Sequence, residues 1–181
     1  KGGVSADRIA NDPNFQRTRE NGSEFGSSAT AGKVLRNAVR NLMMNAADNR
    51  VTSRLTQVMT QIKNYDVASV RGERTVADGI ADPAALALLK DFDFNDKAIL
   101  SGVLFAPFTV TTATGEIGIP AFVPINDISF PSGATHISLK AAYANVDFTN
   151  EISAIEYSPV TNLPIDGTNT PVTLTPAAVP A

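Results

Sequence analysis

The chain has 181 residues, 43% of them hydrophobic and 18% charged, with a net charge of −3 and no cysteine. That length fits one compact domain or two small ones, and the apolar share is enough to build a core. The composition excludes disulfides, thiolate metal sites and cysteine nucleophiles, and no apolar run is long enough for a membrane-spanning helix.

Charge is uneven along the chain. Residues 1–82 hold 12 Lys and Arg against 9 Asp and Glu, a net +3, and residues 83–181 hold 3 against 9, a net −6. Two differently solvated surfaces account for this asymmetry, and attraction between halves or between subunits is a second use of it. The sequence opens on Lys1 without a signal-peptide pattern, so a processed or truncated product is expected.

Taken in order, Lys1-Gly2-Gly3 reads as a turning start and Ser5–Ile9 as one helical turn. Asp12-Pro13 is a cap followed by a first-turn proline, which predicts a helix through Phe15 to about Ser23, reaching toward Thr30. Gly22 and Gly26 weaken it, by about 1 kcal/mol each, and allow close helix contact. Phe15 and Phe25 are its expected anchors. A helical hairpin follows. Val34, Leu35, Ala38, Val39, Leu42 and Met43 share one helix face, as do Val51, Leu55, Val58, Met59 and Ile62, with the short polar link 45–49 between them. Arg71-Gly72 and Asp78-Gly79 are turn signals, and Asp82-Pro83 starts a short helix.

The character changes after Lys90. Asp91-Phe92-Asp93-Phe94-Asn95 alternates like a strand, and Ile99–Thr112 is rich in β-formers, with Gly102 and Pro107 placing it at an edge or bulge. Ala113-Thr114-Gly115 turns into Glu116–Ile119. Thr135–Phe148 is the clearest strand, with Ile137, Leu139, Ala141 and Tyr143 on one face and His136, Ser138, Lys140 and Ala142 on the other. Ile152–Tyr157 and Val172–Leu174 follow, then an extended Pro/Ala tail. The reading is therefore α+β: a helical region over 1–90 and an antiparallel β-sandwich-like domain over 91–181, with about five strands and open edges.

No constellation carries chemistry. His136 is the lone histidine and has no nucleophile motif beside it. Asp91, Asp93, Asn95 and Asp96 begin like a calcium loop, but Asp96 stands at its sixth position and Gly102 at its twelfth, so the EF-hand pattern fails, and a cation at Asp91, Asp93 and Asp96 is left open. Arg17, Arg19, Arg36, Arg40, Arg50 and Arg54 are interleaved with Glu20, Glu24 and Asp48, and nucleic acid is not the expected partner. Glu151 and Glu156 are acids without a known separation, and Asn21-Gly22-Ser23 matches a short glycosylation pattern. No catalytic, cofactor or metal residue is assigned.

Seven strings carry a resemblance: Lys1–Ser5, Arg17–Asn21, Ser53–Leu55, Arg71–Arg74, Leu104–Pro107, Ala134–His136 and Tyr157–Val160. Through them nearly the whole chain resembles a family of uncharacterised Bacteroidota proteins. The resemblance implies no activity. It does imply β-like segments beyond both ends of this chain, so that the fold lacks strands it would otherwise own.

The expected function is a non-enzymatic structural or interaction protein. It self-associates through open β-edges into a surface or filamentous assembly, in an extracellular or cell-surface setting. The alternatives are a glycan- or peptide-binding β-module using Tyr143, Tyr157 or Phe148, and nucleic-acid binding by the Arg-rich helical face.

Overall fold

The structure, a computed structural model, describes residues 3–44, 46 and 48–181. Lys1, Gly2, Asn45 and Ala47 lie outside the described residues, and with them most of the turning start and part of the polar link. The chain is α+β, with helices leading and antiparallel sheets following. It forms two compact units. Unit 1 holds residues 1–37, 49–92 and 147–152, and unit 2 holds 38–48, 93–146 and 153–181.

Unit 1 is helical. In α1 (Ala6–Asn11) the Arg8 amide donates to the Ser5 hydroxyl. Asp12 then caps a 3-10 turn, Pro13–Phe15, by accepting from the Asn14 amide at 2.9 Å. The turn runs straight into α2 (Gln16–Ala38), a helix of 23 residues. The short α3 (Arg40–Met43) belongs to unit 2. Next come α4 (Val51–Ile62), a 3-10 turn at Lys63–Tyr65, α5 (Val76–Gly79) and α6 (Pro83–Ala87). The last is capped as Asp82-Pro83 predicts, the Ala84 amide donating to Asp82 at 2.7 Å.

The hairpin expectation is half right. The second arm is α4, which buries Val51, Leu55, Met59 and Ile62. Each of those large side chains stabilises the fold by about 1.5–3 kcal/mol. The first arm is not a separate helix. Its apolar residues lie on the end of α2, at the junction residue Val39 and on α3, because α2 continues through the glycines that were expected to weaken it. Gly22 and Gly26 face open space and serve no close contact, whereas Gly32 sits against Leu55 and Met59 of α4. Phe25 is no anchor, being 59% exposed.

Unit 2 holds α7 (Leu100–Val103), β1 (Thr109–Thr111), β2 (Glu116–Ile119), α8 (Pro124–Asp127), β3 (His136–Leu139) and most of β4 (Ala142–Asp147) and β5 (Ile152–Tyr157). It ends with β6 (Thr161–Pro164) and β7 (Val172–Leu174). The strands make a three-stranded sheet in the order β1-β2-β7 and the two-stranded ribbons β3-β6 and β4-β5. Ile119, Val172 and Leu174 from the sheet and Ile137, Leu139 and Leu163 from the β3-β6 ribbon close on one core around the fully buried Phe122.

Three local expectations are corrected. Residues 91–95 form no strand: Asp91 turns in the left-handed region at φ 59° and the rest is irregular, with a bend at Phe94. Leu100–Val103 is helical, with Ile99 at its N-cap, and its first amide, that of Leu100, donates to the Asp93 carboxylate at 2.8 Å. The long strand over 135–148 breaks at Lys140-Ala141, where Ala141 exchanges two hydrogen bonds with Ser158, both of 2.9 Å.

Candidate functional site

The residues singled out for chemistry are engaged in ordinary structure. His136 is exposed on β3, its Nδ1 3.0 Å from the Thr135 hydroxyl, while Ser138 donates to Asn162 and not to the imidazole. Asp93 accepts from the Leu100 amide. Asn95 accepts from the Lys97 amide, and the Asp96 amide donates to Asp48. Among the described residues, no three His, Asp or Glu side chains gather where an ion could sit. Two of the arginines do not reach outward freely. Arg19 donates to the carbonyls of Ile9 and Asp12, and Arg54 lies over the Phe92 ring at 5.1 Å. Asn21 accepts from Arg71 at 3.0 Å. No helix among the described residues is long and apolar enough to cross a membrane.

The expected ligand-binding aromatics divide. The Tyr143 hydroxyl donates to the Thr112 carbonyl at 2.8 Å, and its ring lies under Gly115. Tyr157 carries the Lys140 ammonium over its ring at 4.3 Å. Phe148 alone lines a cleft, a space of about 360 Å³ in unit 1 shared with Ser27, Thr30, Thr149, Asp78 and Glu151.

The strongest electrostatic feature was not foreseen. Glu24 of α2 is 2% exposed and accepts from Arg74 at 2.8 and 3.0 Å, from the Gly72 amide at 2.8 Å and from the Lys63 ammonium. The Arg74 guanidinium, against the cost of burial and helped by Lys63 and Gly72, holds this carboxyl at about 2 instead of 4.5. Asp66, also buried, accepts from the amides of Ser69, Ala68 and Thr75, and the Ser69 amide is the main reason that its pKa is lowered. Two carboxylates and two cations thus sum to zero charge while pinning loop 66–75 to α2. Every lone pair of Glu24 is occupied, so the cluster is a clamp and not a reactive centre.

Unit 2 offers a different kind of site. β1 pairs on one side with β2 in the register Thr109↔Gly118, Val110↔Ile117 and Thr111↔Glu116, and on its other side no described strand lies. All three of its residues are exposed. From Ala98 to Gly115 no residue is charged. Exposed Ile99, Leu100, Phe105 and Phe108 lead into the strand. The nearest charge in the following strand, Glu116, accepts from Thr175, just past β7 and thus on the far side of the sheet. Gly115 at φ 72° and the Tyr143 brace fix the hairpin turn, so the edge is held ready.

The other strands carry the usual guards. β7 is flanked by Pro171 and Pro176, β6 ends in Pro164, β3 runs into Lys140, and β4 and β5 contain Asp147 and Glu156. Charge and proline at edges are how sheets avoid pairing with other chains. Comparisons with known protein families, with curated proteins and with solved structures give no match.

Proposed function

We propose that the chain is a non-enzymatic structural or interaction protein that self-associates through an open β-edge of unit 2. The observation that carries this reading is β1, an exposed edge strand inside a stretch without charge from Ala98 to Gly115. An exposed edge free of charge, with flanking apolar side chains, is a template for strand addition. The likeness to Bacteroidota proteins and, separately, the surface or filamentous assembly belong to the same proposal. Size-exclusion chromatography with light scattering tests it. A mass above that of one chain, rising with concentration, is the expected result, and a monomer at every concentration overturns it.

A second reading, a glycan-binding module, is favoured by Phe148 beside the hydroxyls of Ser27, Thr30 and Thr149 in one cleft. Glycan-array binding abolished by Phe148→Ala supports it, and an array without signal removes it.

A further inference from the structure

We infer that two copies of the chain join β1 to β1, antiparallel about a two-fold axis through Val110. The inference rests on the self-association reading and adds its partner and register. Thr109-Val110-Thr111 reads the same in both directions. In a two-fold pair Val110 therefore meets Val110 of the partner subunit, and Thr109 meets Thr111 of the partner subunit. Valine and threonine pairs directly opposite one another are favourable cross-strand contacts, and no like charges meet.

The side-chain directions agree. Val110 is opposite Ile117 in the β1-β2 register, so both point to the same face of the sheet. Ile117 packs against the core of unit 2, while Val110, on that same face, is left 52% exposed because no described strand lies beyond it. A second β1 continues the apolar layer across the joint. Phe108 then lies opposite Thr112 of the partner subunit. The next position sets Pro107 against the partner's Ala113, and a proline, having no N–H to donate, ends the ladder there. The joint is about five residues long.

This pairing closes on itself. It makes a six-stranded sheet in the order β7-β2-β1-β1-β2-β7, whose outer strands are both β7, with Val172 and Leu174 buried and prolines on either side. A two-fold interface of this kind uses one patch on each copy and stops at two. The assembly is then a dimer, and a fibre would need another surface.

The chain has no cysteine, so one introduced thiol reports on one position. The experiment compares Val110→Cys with Thr173→Cys on β7 under mild oxidation, alongside light scattering of the unmodified chain and of Val110→Lys. The expected result has three parts. The unmodified chain is a dimer. Val110→Cys forms an interchain disulfide and Thr173→Cys does not. Val110→Lys dissociates at least about tenfold more readily with its circular dichroism unchanged. A dimer that neither cross-links at position 110 nor responds to Val110→Lys overturns the register and leaves self-association standing elsewhere. Cross-linking at both positions with growing mass overturns the closure. A monomer throughout overturns the register together with the reading beneath it, and the edge is then a site for a strand of another protein.

Discussion

The two units hold themselves together by opposite means. Unit 1 buries charge: Glu24, Asp66 and Lys63 are nearly inaccessible, and Arg74 closes the set. Unit 2 buries almost none and relies on a small apolar core around Phe122, assembled from strands of three to six residues. Ionic clamps are directional and rigidify one loop geometry, at a high cost if a single member is lost. A thin apolar core tolerates more, but short strands leave apolar side chains and backbone groups at its rim. The unit with the weaker internal claim on its own surface is therefore the one with surface left for a partner.

Substitutions break this comparison in order of size. Glu24→Ala strands Lys63 and Arg74 without their carboxylate and is expected to cost about 3–5 kcal/mol in a denaturant titration. Phe122→Ala opens a cavity in unit 2 and costs about 3–5 kcal/mol by the same measurement. The two are told apart by which amides lose hydrogen-exchange protection, those of loop 66–75 or those of β2 and β7. Gly115→Ala sets a side chain at positive φ against the Tyr143 ring and is expected to cost about 1–3 kcal/mol in the thermal midpoint, with loop 66–75 unaffected.

Acid sharpens the contrast without mutation. The folded pKa of Glu24 is depressed, so its contribution is fully present above about 4.5 and is lost as pH falls toward about 2. Asp66 is shifted in the same direction and adds to the loss. Unit 1 is thus expected to loosen in acid first, seen as a loss of hydrogen-exchange protection confined to loop 66–75. Simultaneous loss in both units down to pH 2 would contradict that.

The sequence was most legible where a signal is local. Asp12-Pro13, Asp82-Pro83, the Thr-Gly turn at 114–115 and the face of α4 all depend on neighbours within one or two turns. It was misleading where long-range contacts decide. The alternation at 91–95 marks the chain leaving unit 1 at Phe92 for unit 2 at Asp93, each phenylalanine serving a different unit. Helix α2 was underestimated because its buried stripe runs through Glu24, Ser28 and Gly32, residues that an apolar pattern does not register. The clamp had a faint signal in that same stripe: a glutamate at the helical spacing of buried positions, with Lys63 and Arg74 far along the chain. The β1 edge was better marked, because a stretch without charge can be seen in the sequence alone, although its exposure cannot.

Lys63 gives the clamp a reporter of its own opening. Trypsin needs an extended chain with the basic side chain free, and here the ammonium is held inside the fold by Glu24. The bond after Lys63 is therefore cut only in molecules whose loop has come away, whereas Lys97, exposed in a turn of unit 2, is open to attack at once. The ratio of those two cuts over time measures the fraction of chains with the clamp undone, in an unlabelled sample of the unaltered protein.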